Sequence, residues 1–438
     1  MYCLLPLSLL MHCASGAAQG GEPPPAPVTS ERPTPPEQPP VTPLPAIGVR
    51  PMASGLGEFY RRDTGERFVP IGFNHTVLEH GSEGWHATFN VGIYDGEQMD
   101  GVLREMAEAG ANTLRVWAWG VQNESGFTGG PESRGLNAAY MENFTDFLRR
   151  ATRHGLYVMP ILDETPHNAY YDHIAASVAA ASPARNLSGY NINYLCPGAL
   201  AAKKACVQDF VRYIKTADAG LLHTVLGWSF ANEVFVNHSN APFYRKTGTA
   251  VTATGRRYDM ADHKQRQACY DETILHWANT LSDAVKSAAP DALTTVGMWT
   301  SDAHGRPPLN YLLPDAKDPR IPPRPSVLAG PDSKLDFLDI HIYPWDNTAT
   351  VRPDAHEWAH LRENSMPVVV GEYGVFKNKP IEEARRMMRE MLEQAADLGY
   401  QGALHWVWDL TQVKGQAWSS VEEGLAPYLM RLQIASWD

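Results

Sequence analysis

Two glutamates carry the first chemical argument. Glu233 closes the run Trp228-Ser-Phe-Ala-Asn-Glu, and Glu372 closes Pro367-Val-Val-Val-Gly-Glu. A carboxyl group ending a buried run is held in place and partly desolvated, and different neighbours push the pKa values of two such groups apart. Cleavage of a glycosidic bond uses such a pair. One carboxyl protonates the departing oxygen, and the other attacks the anomeric carbon or activates water there. Asn232, just before Glu233, can hold a sugar hydroxyl beside the reacting carbon. Tyr343 can donate a hydrogen bond to the attacking carboxylate, and Arg115 can keep it ionised. An Asn-Glu pair by itself is weak evidence. Asn123-Glu124 is another, and its polar surroundings make it surface.

Tryptophans gather near the same places: Trp117, Trp119, Trp299, Trp345, Trp406 and Trp408 all follow or end apolar runs. An indole face packs on the C–H face of a pyranose, while hydroxyls reach a polar rim of Asn74, Arg115, Asn232, His341 and Tyr343. In each of the pairs Trp117/Trp119 and Trp406/Trp408, one ring is expected to face inward and the other to pack behind it. Trp228 and Trp277 are expected in the core. Asp163-Glu164 has no His-X-His pattern beside it, so neither a metal nor another cofactor is expected. His75, His86 and His238 are expected as surface or satisfied core groups.

These residues need a frame, and the chain supplies one motif eight times. The β-type runs are Phe68–Phe73, Asn112–Trp117, Leu156–Leu162, Val225–Phe230, Leu293–Met298, Phe337–Tyr343, Pro367–Gly371 and Ala403–Val407. Their continuous Val/Ile/Leu character suits strands buried on both faces of a parallel sheet. Helical stretches alternate with them: Gly96–Ala109, Asn137–His154, Ala199–Ala219, Ala261–Ala288, Pro380–Leu398 and Ser420–Gln433. Gly110, Gly155, Gly220 and Gly399 are expected to stop helices in the left-handed conformation. Eight strand–helix units predict an α/β protein, a (β/α)8 TIM barrel with enlarged βα loops. A doubly wound open sheet is the alternative, but no GxGxxG or P-loop follows any run. Barrels of this kind keep their chemistry at strand C-terminal ends, where both glutamates fall. Ahead of the first strand, Phe59–Phe68 reads as a hairpin turning at Asp63-Thr64-Gly65, a candidate plug for the barrel bottom.

With those stretches in hand, Asn112–Trp117 (NTLRVW), Trp228–Glu233 (WSFANE), Asp339–Tyr343 (DIHIY), Pro367–Gly374 (PVVVGEYG) and His405-Trp406 resemble glycoside hydrolase clan A. Family 5, the cellulase and mannanase family, is the nearest likeness. The resemblance implies Glu233 as general acid/base and Glu372 as nucleophile of a retaining glycosidase. It gives Arg115, His341, Tyr343 and Trp406 supporting places, with Trp406 beneath the sugar next to the scissile bond. One departure concerns the third strand, where many members carry a His. Here the chain reads Asp163-Glu164-Thr165-Pro166-His167, so His167 or Asp163 would have to substitute. Two other readings compete: a non-catalytic carbohydrate-binding barrel, and a metal-dependent barrel hydrolase.

The rest of the chain bounds the partners. With 37 Lys+Arg against 49 Asp+Glu and a net charge of −12, it lacks the basic surface that nucleic acid requires. The expected partner is a β-linked polysaccharide or oligosaccharide. Leu4–Met11 is apolar and too short to span a bilayer, and small residues follow it. Residues 1–18 are therefore expected to be a signal peptide of a secreted or cell-surface protein, with lipid anchoring at Cys13 the alternative. Residues 19–46 form a Pro-rich linker, with 11 prolines in the 24 residues from Glu22 to Pro45. Residues 47–438 form the barrel domain. Beyond the leader only Cys196, Cys206 and Cys269 remain, and Cys196–Cys206 is the expected disulfide.

Overall fold

The computed structural model describes residues 41–437, except 54, 77–86, 120–125, 131, 300–318, 345–350, 352–360 and 410–416. Eight parallel strands form its centre. They are β1 Ile71–His75, β2 Thr113–Trp119, β3 Tyr157–Leu162, β4 Trp228–Ser229 and β5, broken at Val296 into Thr294–Thr295 and Gly297–Trp299. Then come β6 Leu338–Ile342, β7 Val368–Tyr373 and β8 Ala403–His405. The first half of β5 pairs with β4, the second half with β6, and β8 returns to β1. The sheet thus closes on itself, and each of the eight apolar runs supplies one strand. Strands in this closed sheet are buried on both faces, which is why the runs show little alternation.

Among the described residues seven long helices surround it: α1 Gly96–Glu108, α2 Ala138–Arg153, α3 Ala169–Ala181, α4 Pro197–Ala217, α5 His263–Ala288, α6 Ile381–Asp397 and α7 Leu425–Trp437. Their starts are chemically marked. Asp95, Asn137, Asn168 and Asp262 each accept backbone N–H groups from the first turn. Gly110, Gly155 and Gly399 take positive φ after helix ends, as expected. Gly220 does not. Asp218 ends α4 and caps a following 3-10 turn, with its carboxylate accepting from the Gly220 N–H at 2.8 Å.

The hairpin plugs the barrel as its sequence suggested. Gly57–Arg61 pairs with Arg67–Phe68 and also with Ile47–Pro51, making a three-stranded antiparallel sheet. Ile47, Phe59 and Phe68 form one apolar cluster with Tyr157, Leu226, Leu293, Phe337 and Leu404, residues at or near the strand beginnings. Phe59 meets Phe337 edge-on at 5.2 Å and Phe68 meets Tyr157 at 4.9 Å.

The expected Cys196–Cys206 disulfide is absent, and both residues are buried. Cys196 is the N-cap of α4 and Cys206 lies inside it. Ten residues of helix separate two Cα atoms by about 15 Å, whereas a disulfide needs less than about 7 Å. No helix among the described residues is long and apolar enough to cross a membrane. The expected signal peptide, and the linker up to residue 40, lie outside the described residues.

Candidate active site

Irregularities in β7 and β2 aim the side chains. Along β6 and β7, Ile340 lies opposite Val370, but His341 lies opposite Glu372. Gly371 is the extra residue, a bulge that carries Glu372 up to the level of His341. Glycine is required there, because a Cβ would collide with the buried Asp339 carboxylate.

Arg115 is the hub. It projects from β2 into the barrel and is wholly buried. Its Nε donates to Asp339 Oδ2 at 3.1 Å. Nη1 donates to Glu372 Oε1 at 2.6 Å and to Asn74 Oδ1 at 3.1 Å. Nη2 donates to Asn232 Oδ1 at 3.0 Å and lies 3.1 Å from His341 Nε2. One planar cation therefore links the ends of β1, β2, β4, β6 and β7. The Tyr343 hydroxyl donates to the other Glu372 oxygen at 2.7 Å. His341 Nδ1 lies 3.0 Å from Glu233 Oε1 and 3.5 Å from Glu372 Oε2. Glu233, His341 and Glu372 each offer an atom within 4.8 Å of the other two. These are also the donors that could hold a cation, yet the Arg115 charge against Glu372 opposes one.

Electrostatics separate these groups. Burial lifts the Glu372 carboxyl above its ordinary value, while His341 and Arg115 pull it back toward ionisation. Burial also works against the charge on Asp339, but Arg115 and His341 outweigh it and hold this carboxyl below its usual range. For His341, burial disfavours the proton, and Glu372 and Asp339 reverse that, raising the imidazole to about 9.

The structure places the remaining expected residues less uniformly. Asn74 is fully buried, and its amide nitrogen donates to Gly371 O at 2.8 Å, so it braces β1 against β7 and supports Arg115. Trp406 is half-buried. Trp117 meets it edge-on at 5.3 Å and lies against the Arg115 guanidinium, so Trp117 supports rather than forms an open platform. Trp119 points outward and stacks on Phe127. Residues two apart share a face of a regular strand, so alternation alone does not separate Trp117 from Trp119. A register shift between them does. Trp408 packs behind on Phe73. Trp299 is 1% exposed, covered by Phe235 and the Arg320 guanidinium, and offers no bare face. Trp228 and Trp277 are core residues. Trp345, His86 and Asn123-Glu124 lie outside the described residues.

Of the two substitutes proposed for the third strand, Asp163 is near the site. Its Oδ1 accepts the Asn232 N–H at 3.1 Å, whereas His167 pairs with Asp172 near the start of α3. Lys203 from α4 donates to the carbonyls of Asp163 and Phe230, clamping the ends of β3 and β4. Burial lowers its pKa to about 8. Along the β3–β5 side of the mouth the long loops are joined. Val236–Asn237 pairs with Arg320–Ile321, and Asn191 binds the backbone at Asn237 and Ala241. Sequence reasoning missed Asp339 and Lys203 as parts of the site. The one available signal for Asp339 was an acid inside the apolar run FLDIHI.

A closed (β/α)8 barrel with two carboxyl groups facing each other at its strand ends is the frame of an O-glycosidase. The chain matches the family model described as Cellulase (glycosyl hydrolase family 5) over residues 71–412, so it belongs to that family and is a glycosidase. Among curated proteins no match is found. The fold is similar to that of the endo-beta-1,4-mannanase from Thermotoga petrophila (16% identity, 85% of this chain and 77% of that one, TM-score 0.56). It is also similar to an exo-beta-1,4-mannosidase from Opitutaceae bacterium strain TAV5 (14%, 89% and 63%, 0.56). A third is the endo-1,4-beta-mannanase from Rhizomucor miehei (12%, 89% and 99%, 0.55).

Proposed function

We propose that this glycosidase retains anomeric configuration and cleaves β-1,4-linked glycans, β-mannan before cellulose, by double displacement. The observation that carries the reading is the pair of carboxylate oxygens, from Glu233 and Glu372, within 4.8 Å of each other. Retaining enzymes hold their carboxyl groups about 5–5.5 Å apart, and inverting ones leave about 6.5–9.5 Å for a water. Glu372, ionised against Arg115 and Tyr343, attacks the anomeric carbon. Glu233 gives its proton to the glycosidic oxygen, the C–O bond breaks, and the shortened chain leaves as an alcohol. Water then attacks the same carbon, returns a proton to Glu233 and releases Glu372 as carboxylate. The half-exposed Trp406 lies under the sugar. Mannan comes first because the solved relatives quoted above are named for mannan and mannoside cleavage.

Dinitrophenyl glycosides test the roles. Glu233→Ala should keep most activity on this leaving group, which needs no proton, and azide should accelerate it through a β-glycosyl azide. Glu372→Ala should lose turnover and regain it with azide through an α-glycosyl azide. A Glu372→Ala enzyme with near-normal rate, or no azide rescue of either variant, overturns the assignment. Product lengths from β-mannan and cellulose oligosaccharides decide the sugar.

A further inference from the structure

One buried group in the site is left without an obvious partner. Asp339 Oδ2 is bound by Arg115 Nε, but Asp339 Oδ1 makes no hydrogen bond in a wholly buried place. An unpaired carboxylate oxygen in such surroundings is costly. The nearest candidate donor is His341 Nε2, at 3.5 Å. The same nitrogen lies 3.1 Å from Arg115 Nη2, which can only donate. The ring thus has three states. A neutral ring protonated at Nδ1 accepts from Arg115 at Nε2 and leaves Asp339 Oδ1 unpaired, and one protonated at Nε2 faces Asp339 but turns a bare Nδ1 toward the Glu233 and Glu372 oxygens. A ring protonated at both nitrogens turns Nε2–H toward Asp339 and Nδ1–H toward Glu233 and Glu372.

We propose that Asp339 is a positioning residue that keeps His341 protonated at both ring nitrogens through the reaction. The inference rests on the two-glutamate mechanism above, and charge counting gives it weight. Before reaction, Arg115 and His341 are cations, Asp339 and Glu372 are anions, and Glu233 carries its proton. The sum is zero. In the glycosyl-enzyme Glu372 is esterified and neutral, and Glu233 has become the anion. The sum is zero again. Negative charge has passed from Glu372 to Glu233, and His341 Nδ1–H lies between their oxygens, at 3.5 Å and 3.0 Å. Without the Asp339 charge the cluster carries an excess cation in both states, or His341 gives up its proton.

Among the described residues, these further groups lie beside the cluster. Asn74 on β1 and Asn232 after β4 are neutral, and Trp299 on β5 lies beside His341 in register. The Tyr343 hydroxyl donates to Glu372. Asp163 after β3 faces Lys203, which offsets it. His405 on β8 is pushed down to about 3 by burial and stays neutral, with Ser420 at 2.7 Å from its Nδ1. The raised pKa of His341 accords with this arrangement.

The test has two parts. In wild-type enzyme labelled with 15N-histidine, the His341 ring signals, assigned by their loss in His341→Gln, should show both nitrogens protonated from pH 6 to 8. This readout needs no substrate, so it stands even if the glycan assignment fails. A neutral ring at pH 7 overturns the proposal. In Asp339→Asn, verified as folded by its melt, the His341 proton should be lost at a pH at least one unit lower. The alkaline limb of kcat/KM should move down with it. A folded Asp339→Asn enzyme that loses rate equally at every pH, with His341 titrating as in wild type, shows a merely structural role and also overturns the proposal.

Discussion

At the lower end of the barrel Phe59, Phe68, Phe337 and Leu404 fill the interior with hydrocarbon. At the upper end Arg115, Asp339, His341 and Glu372 fill it with charge. Both regions are closed to water, yet they answer to different physics. Each large apolar side chain below contributes on the order of 1.5–3 kcal/mol by leaving water. Above, the desolvation of four ionisable groups offsets much of their mutual attraction, so the cluster adds little net stability while making each member dependent on the others. Stability should therefore follow the plug, and turnover the charged layer.

The sharpest way to break that division is Glu372→Ala. Turnover should fall by roughly 10⁵-fold, measured on an aryl glycoside without added nucleophile. Phe59→Ala is the converse. It should lower unfolding free energy by about 3–5 kcal/mol in denaturant melts and leave kcat at 25 °C unchanged. If Phe59→Ala changes kcat tenfold, the two layers are not separable.

Trp406→Ala and Trp408→Ala probe the boundary within one strand end. The first should reduce kcat/KM by about 10–1000-fold with a small shift in Tm, because stacking and orientation are lost together. The second should act through stability.

Two of the three histidines buried among the described residues extend the comparison to pH. His405 has its folded pKa depressed to about 3, so the unfolded chain binds a proton first as pH falls. Stability is lost from about pH 6.5 downward, by at most about 1.4 kcal/mol per unit. His341 has a raised pKa, so its contribution is full below about 6.5 and is lost as pH rises through about 9. Denaturant melts between pH 4 and 9 should show both slopes, and His405→Asn should reduce only the acid one, to which buried His75, also depressed by burial, contributes as well. The smallest expected effect is that of a reductant. Dithiothreitol should not move Tm, and Cys196 and Cys206 should appear in separately alkylated peptides.

The barrel was legible because each strand falls in a largely apolar run, and the placement of the two glutamates was legible because each ends one. What failed did so for local reasons. The disulfide was inferred from sequence proximity, but an intervening helix converts proximity into distance. Gly220 looked like a helix stop, but Asp218 had already ended the helix. Trp299 was placed by its strand end alone, and the loops that cover it carry no comparable pattern. The burden on Asp339 could be read only from three dimensions, where Gly371 makes room for its carboxylate.

The plug also has a directional consequence. Ile47 enters the sheet at the floor of the barrel, and the Tyr157 hydroxyl binds the Pro45 carbonyl at 2.7 Å on the same side. The chain before it therefore departs from the face opposite the catalytic mouth. An alteration in residues 41–46 thus meets the plug before it meets Glu233 or Glu372.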